Sequence, residues 1–97
     1  MPLIRIIHVT FPPDQAVEAE RDWKECCAPI MIRQQGCLSE QLLRCRDVPG
    51  DYISYSVWDS DESIRTYLQS ADHQTIKRHN ANIRDARVEV RNYEVVG

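Results

Sequence analysis

The sequence predicts an α+β domain from three observations: a length of 97 residues, four strand-like segments, and helical segments placed between them. Hydrophobic residues make up 42% of the chain and charged residues 28%, the balance of an ordinary globular protein. Residues 1–97 are therefore interpreted as one domain. A domain of this size buries roughly two-thirds of the surface that its unfolded chain would expose.

Four segments have the composition and patterning of strands. Residues 3–11 are apolar or β-branched on both faces, which predicts a strand buried on both sides. Residues 37–46 and 52–58 flank a Val-Pro-Gly-Asp turn at residues 48–51, so these two strands are predicted to form a hairpin. Residues 87–96 form the last predicted strand.

The first helical region follows Pro12 and Pro13, because proline is tolerated at the first positions of a helix. Pro29 predicts a kink near its end, and Gly36 is predicted to close the segment. Its buried face follows the i, i+3, i+4, i+7 spacing of a helix. The positions on this face are Ala16, Ala19, Glu20, Trp23, Cys26, Cys27 and Ile30.

The second helical region is predicted to be broken in two at residues 70–72. The Asp-Ser pair at residues 59–60 is a predicted N-cap for its first helix. Asp72 is the predicted cap of the next helix, whose apolar stripe consists of Ile76 and Ile83.

The resulting order is β-α-β-β-α-β, the ferredoxin-like arrangement, with four strands in one antiparallel sheet and the helices on one face. The first strand is central in this topology, yet it is apolar on both faces. The second face of the sheet therefore needs a cover, and the chain has no spare element to supply one. A second copy of the chain is the simplest cover, so we expect a homodimer.

Charge and hydropathy exclude two classes of partner. The net charge of −3 and the pI near 5.5 disfavour nucleic acid, which requires a concentrated basic face. No stretch approaches the ~18 apolar residues of a membrane helix, and the N-terminus lacks a basic leader. No membrane partner is expected, and the cytoplasm is the expected location.

The four cysteines form no C-x-x-C pair. We expect them to be free thiols, small core residues in a reducing compartment, with a reactive thiol as the alternative. They are Cys26, Cys27, Cys37 and Cys45.

Three segments share the order and spacing of one family's motifs. Residues 36–39, Gly-Cys-Leu-Ser, resemble a "pGcl" segment at the start of a second strand. Residues 56–63, Ser-Val-Trp-Asp-Ser-Asp-Glu-Ser, resemble a strand-to-helix corner, "E-x-W-x-s-x-e-a". Residues 67–70, Tyr-Leu-Gln-Ser, followed by His73, resemble a helix end and the "s-x-x-h/f" step after it. Over residues 3–96 the chain thus resembles the antibiotic biosynthesis monooxygenase family.

The resemblance implies a dimeric α+β barrel, in which two sheets face each other. It also implies a ligand cavity in each subunit, between the sheet and the helices. Members of the family include oxygenases of polycyclic phenols and quinols that use no cofactor, haem-degrading oxygenases, and domains without a known substrate.

The chain departs from the quinone-forming members at their motif positions. Ser56 stands two before the corner Trp where the family often has Glu, and Ser54 stands four before it where these members have Asn. Ile64 replaces their Tyr, with Tyr67 one turn further on, and Arg78 could match an Arg of their following helix.

The haem-degrading branch fits less well. It needs an Asn in the first strand, a Trp in the second helix and a His ten residues beyond that Trp. The matching positions are Ile7, Tyr67 and Lys77, and all three differ.

An oxygenase that uses neither metal nor flavin needs a base, a donor for a developing oxyanion and a dry pocket. His79 is our first candidate for the base, since it borders the stripe of Ile76 and Ile83; a boundary His bonded to backbone is the alternative. His73 lies on the other flank of that stripe, near a helix start, where a structural or solvated role is the alternative. His8 faces either the dimer interface or the pocket. Their spacing does not favour a metal site, so no metal is expected. The resemblance to oxygenases that use no cofactor implies that none is needed here.

Trp58 and Tyr67 are candidates to line a cavity, with core packing as the alternative. Ser54 and Ser56 share the strand face of Trp58, and such small hydroxyls could leave room for a polar ligand or pair with Gln41 or Asn92. Arg78 could neutralise an anionic substrate, or lie on a solvated helix face.

The leading hypothesis is a cofactor-independent monooxygenase of a small aromatic, phenol- or quinol-like compound. The rival hypothesis is a non-catalytic dimeric domain that binds a small molecule or only dimerises. A haem-degrading oxygenase is third.

Overall fold

Four antiparallel strands form one sheet in the computed structural model, which describes residues 2–81 and 86–97. The strands are β1 (Leu3–Thr10), β2 (Cys37–Arg44), β3 (Asp51–Trp58) and β4 (Arg87–Glu94), in the order β2-β3-β1-β4. The helices are α1 (Ala16–Asp22), α2 (Ala28–Ile32), α3 (Asp61–Leu68) and α4 (Ala71–Ala81). A 3₁₀ turn (Pro13–Gln15) precedes α1, and a π turn (Trp23–Cys27) joins α1 to α2. The predicted fold class and element order are confirmed; β1, β2 and β4 end one or two residues earlier than expected, and β3 begins one residue earlier.

Strand β1 is central, paired with β3 on one side and β4 on the other. Its odd-numbered positions face the helices together with the even-numbered positions of β3, and this face carries the core. In that arrangement Arg5 lies opposite Ser56 of β3 and Asn92 of β4. The middle of the sheet's helix-facing side is therefore occupied by a charged residue.

The kink predicted at Pro29 takes the form of the π turn. Proline has no N–H to donate to the carbonyl four residues back, which interrupts the α-helical ladder. The N–H of Ala28 bonds instead to the carbonyl of Trp23, five residues back. Because a π turn holds one extra residue, it shifts the phase of the buried face by one position.

That shift is visible in the burial of the segment. Cys27 and Met31 are buried, at 1% and 4% exposure, whereas the neighbouring Cys26 and Ile30 are half-buried. The predicted face included Cys26 and Ile30 and omitted Met31, because a regular 3.6-residue period was assumed. The four cysteines, all within the described residues, are free thiols as expected.

Serines begin both helices of the second region. Ser60 Oγ accepts from the N–H of Ser63 at the start of α3, within the predicted cap. At α4 the predicted cap, Asp72, is wrong: Ser70 Oγ accepts from the N–H of His73 at 3.1 Å. Asp72 instead accepts from Gln34 Nε2 at 2.8 Å, which ties α4 to the segment after α2. Ile83 of the predicted stripe lies outside the described residues.

Two glycines close the turns that precede β2 and β3. Gly36 and Gly50 have φ of 87° and 85°, a region that disfavours side chains. A Cβ at Gly36 would overlap the side chain of Ser63, and one at Gly50 would overlap the carbonyl of Phe11. Both positions therefore need glycine for conformation and for space.

The second face of the sheet carries apolar side chains from several strands. Ile4 and Ile6 of β1 are half-buried there, while Leu43 and Tyr93 are 43% and 45% exposed. All eight residues of β4 are exposed, on both of its faces. Both core clusters lie on the opposite, helix-facing side. None of the described helices has the length and apolar character that a membrane crossing needs.

Gly50→Ala should destabilise the fold by about 2 kcal/mol or more, because the new Cβ is strained at positive φ and meets backbone. Urea unfolding measures this change. Gly97→Ala is the matched control, since nothing lies within 4 Å of its Cβ, and it should leave the free energy of unfolding unchanged. Equal stability of the two variants would contradict the role given to Gly50.

The exposed apolar face of the sheet should make the protein dimeric at micromolar concentration. Ile6→Glu should convert it to a monomer, because the charge would be buried in that interface. Val17→Glu is the control, on a helix position that is 77% exposed. Sedimentation equilibrium measures the mass of each protein in solution. A wild-type mass near that of one chain would refute the dimer.

Candidate active site

A cavity of about 310 Å³ lies between the helix-facing side of the sheet and the helices. Most of its wall is apolar, contributed by β1, β4 and the first helical region. A few polar groups interrupt that wall, an arrangement common in small-molecule sites. The residues discussed below that line it are Arg5, Asp22, Ser54, Tyr67 and His73.

Arg5 is the charged group of the sheet side of the cavity. Its residue is 6% exposed, and among the described residues its Nε has no hydrogen-bond partner. Burial lowers the pKa of the guanidinium, against smaller opposing effects of Tyr67 and Glu40. Since a buried charge is costly without close partners, this cation favours a negatively charged group in the cavity.

Glu40 lies behind the cavity wall on β2. Ser54, which lines the cavity, donates its hydroxyl to Glu40 Oε1 at 2.8 Å. The other oxygen, Oε2, is buried and has no partner among the described residues. Burial raises the pKa of this carboxyl to about 7, although the Ser54 bond and the Arg5 charge act in the opposite direction. Glu40 therefore exchanges a proton near neutral pH.

Trp58 and Ser56 form the core layer behind the cavity. They are 0% and 1% exposed, and Trp58 Nε1 donates to Ser56 Oγ at 2.9 Å. Ser56 Oγ in turn donates to the carbonyl of Arg5 at 3.3 Å. The indole ring packs on Tyr67, with ring centroids 5.4 Å apart. This layer satisfies the buried indole N–H and supports the cavity-lining Tyr67 from behind.

His73 brings an imidazole to the helix side of the cavity. Its Nδ1 lies 3.1 Å from the carbonyl of Leu68, so Nδ1 carries the proton and Nε2 is the acceptor of the neutral ring. The edge of the ring meets Tyr67, with centroids 5.0 Å apart. Burial lowers the pKa of His73, and the charges of Arg5 and Lys77 lower it further against the opposing Leu68 bond. The neutral form therefore prevails at neutral pH.

The ring of Tyr67 contacts both the indole of Trp58 and the imidazole of His73. It is 4% exposed, and burial raises the pKa of its phenol strongly, so its hydroxyl stays protonated. A protonated hydroxyl can donate a hydrogen bond to a ligand.

The other predicted site residues lie elsewhere. His79 Nδ1 is 3.1 Å from Asp22 Oδ1, beside the first helical region and outside the cavity lining. His8 faces the other side of the sheet, 2.9 Å from Asp51. Arg78 is exposed and donates to Thr75 on its own helix. Of the three predicted catalytic residues, the structure brings only His73 to the cavity.

The sequence interpretation missed Arg5 and Glu40. A signal existed for Arg5, because its strand parity places it in the same row as Leu3, Ile7 and Val9. A charge in an otherwise apolar row is unusual and marks a buried cation. Glu40 gave no such signal, since charged residues are common on a strand at the edge of a sheet.

Fold and cavity together define a ferredoxin-like domain with a largely apolar cavity between its sheet and its helices. Residues 2–79 match the family described as antibiotic biosynthesis monooxygenase. The chain belongs to this family, and the resemblance found in its sequence is confirmed. No curated protein matches the chain in sequence.

Solved structures share the fold over nearly the whole chain. A Bordetella bronchiseptica protein named for the same family is 20% identical, with a TM-score of 0.85 over 98% of this chain and 97% of that one. A Mycobacterium tuberculosis protein is 18% identical, with a TM-score of 0.83 over 100% and 97%. SnoaB, described as a cofactor-independent oxygenase from Streptomyces nogalater, is 17% identical, with a TM-score of 0.79 over 99% and 94%. At these identities the likeness concerns the fold.

Arg5→Met should stabilise the ligand-free protein, because it replaces a buried, incompletely paired charge with an apolar side chain of similar length. Replacing a whole buried ion pair by apolar side chains is often neutral or stabilising by about 1–4 kcal/mol. Arg5→Met approaches that case below pH 7, because Glu40 has a pKa of about 7 that the loss of Arg5 raises further, so its carboxyl becomes neutral. Urea unfolding measures the change, with the exposed Arg78→Met as a control expected within about 0.5 kcal/mol of wild type. A clear loss of stability in Arg5→Met would show that the guanidinium is fully satisfied in the folded protein.

Proposed function

We propose that this protein is a cofactor-independent monooxygenase of a small aromatic, phenol- or quinol-like compound. One observation carries the proposal: a single apolar cavity holds a neutral imidazole on its helix side and a buried guanidinium on its sheet side. The family membership supports the same reaction class.

The imidazole supplies the base. Oxygen is a triplet and reacts slowly with closed-shell organic molecules, unless the substrate first becomes electron-rich. His73 Nε2 would accept the proton of a phenol, and the phenolate so formed could pass one electron to oxygen. The low pKa of His73 keeps it ready to accept a proton at neutral pH.

The guanidinium of Arg5 stabilises the negative charge of the phenolate. Arg5 would attract the phenolate oxygen in a water-poor cavity, where a fixed cation interacts more strongly than it would in water. Recombination of the substrate radical with the reduced oxygen forms a carbon–oxygen bond. One oxygen atom then stays on carbon as a carbonyl, and the other leaves as water with two substrate hydrogens. The substrate supplies all the electrons, so the balance needs no external reductant.

The volume of the cavity limits the size of the substrate. At about 310 Å³ it lies at the lower end of ligand pockets, which run from about 300 to 1,000 Å³. One or two fused rings fit such a volume. The apolar walls and the aromatic Tyr67 suit a planar compound.

The rival function is binding without turnover, and the same Arg5 favours it, because a buried cation suffices to hold an anionic ligand. Oxygen consumption with a panel of one-ring and two-ring phenols and hydroquinones separates the two functions. Turnover supports the oxygenase. A rise in melting temperature with these compounds, without oxygen consumption, would show a binding domain instead.

His73→Ala should lower kcat by roughly 10²-fold, the usual scale for the loss of a positioned base. His79→Ala is the matched control on the same helix and should change kcat much less, because His79 pairs with Asp22 outside the cavity lining. The reverse result would return the role of base to His79. Oxygen consumption and circular dichroism of both variants distinguish loss of activity from loss of fold.

The pH dependence of kcat/KM is a second test of which group acts as the base. Because burial lowers the pKa of His73, kcat/KM should rise through a pKa below the ordinary value of about 6.5 and then level off. An inflection near 7 that disappears in Glu40→Gln would assign the titrating group to Glu40 instead.

A further inference from the structure

A second group of polar side chains lies where the π turn meets α4. Asp22 ends α1, Cys26 lies one turn later in the π turn, and His79 projects from the last turn of α4. One ligand atom from each residue lies within 4.8 Å of the other two, and all three residues are half-buried. In one of these contacts His79 Nδ1 lies 3.1 Å from Asp22 Oδ1.

We propose that Asp22, Cys26 and His79 form a binding site for a divalent transition metal ion, zinc above all. Thiolate, imidazole and carboxylate are the three protein ligands that zinc uses. A tetrahedral site with bond lengths of about 2.0–2.3 Å has ligand atoms about 3.3–3.8 Å apart. Ligand atoms that lie within 4.8 Å of one another reach this spacing when each pair approaches by about 1.5 Å at most, and water can fill the fourth position.

The choice of metal follows from the donors. A sulfur and a nitrogen ligand select borderline metals over Mg²⁺ and Ca²⁺, which prefer all-oxygen sites. A cysteine binds zinc as the thiolate, so the metal displaces the thiol proton of Cys26 on binding, and its affinity falls as the pH falls.

The site joins two parts of the fold that frame the cavity. Asp22 and Trp23 line the cavity from the first helical region, and Ile76 and Lys77 line it from α4. A bound ion would hold these two walls together through His79. It would also take Asp22 as a ligand, so that this carboxylate is no longer free to meet a molecule in the cavity.

Sequence spacing gives little sign of this site. A search for paired ligands along the chain looks for motifs such as C-x-x-C or H-x-x-x-H, and the chain has neither. The proposed ligands combine an i, i+4 pair on one helical segment with a histidine more than 50 residues further on. Only the packing of α4 on the π turn brings them together.

Metal binding is tested on the full chain after removal of metals with a chelator. Excess Zn²⁺ should raise the melting temperature by at least about 5 °C, since an ion that binds only the folded state stabilises it. One Co²⁺ per chain should give the visible bands of tetrahedral cobalt and a thiolate-to-cobalt charge-transfer band. Neither measurement depends on turnover, so the result stands whether or not the protein is an oxygenase.

Single substitutions test which residues bind the metal ion. Cys26→Ser and His79→Ala should each remove the Zn²⁺ stabilisation and the cobalt spectrum. Cys45→Ser and His8→Ala are matched controls and should keep both, because Cys45 is also a half-buried thiol and His8 also pairs with an aspartate, Asp51, at 2.9 Å.

Three results would overturn the proposal: no Zn²⁺ stabilisation of the wild type, a cobalt spectrum without the thiolate band, or full retention of both signals in Cys26→Ser and His79→Ala. If Cys26→Ser fails to fold, the proposal is still tested by the Zn²⁺ stabilisation of His79→Ala and by the thiolate band in the cobalt spectrum of the wild type.

Discussion

A guanidinium in the middle of the sheet is the constraint on which the site depends. Arg5 belongs to the central strand, with β3 and β4 on either side of it, so it cannot reach solvent along the sheet. Burial is the largest cause of the lowered pKa of Arg5 and of the raised pKa of Glu40. Each group is thus shifted towards its neutral form, as expected where partial pairing does not compensate for lost hydration. The ligand-free protein thus keeps an incompletely paired cation in the wall of its cavity, and this is the basis of the proposed anionic ligand.

Most of the fold could be predicted from the sequence, since strand and turn signals are local. The run of apolar residues in β1 and the Pro-Gly turn before β3 depend on a few neighbouring residues, and both were read correctly. The π turn could not be placed, because Pro29 requires a disruption of the helix but does not dictate its form. The cap of α4 was misplaced for a related reason. Ser70 and Asp72 are both good caps, and only the chain path after α3 selects Ser70.

The site was less predictable than the fold, because it depends on how elements pack. His73 and His79 stand three residues before and three after Ile76, so helix periodicity places them symmetrically on either flank of the buried side. The packing of α4 breaks that symmetry. The carbonyl of Leu68, the last residue of α3, holds the ring of His73 beside Tyr67, while His79 contacts Asp22 of α1. No pattern within α4 alone contains this information.

The division of charge between the two sides of the cavity has a physical consequence for catalysis. A base on the sheet, next to Arg5, would be weakened further by the cation, because a positive neighbour disfavours the protonated imidazole. With His73 on the helix and Arg5 on the strand, a ligand between them can release its proton to one side while its negative charge faces the other. Part of the Arg5 charge still reaches His73 and lowers its pKa. That coupling weakens once a phenolate offsets the guanidinium, so ligand ionisation itself should make His73 a stronger base. Proton transfer and charge stabilisation would then reinforce each other in this cavity.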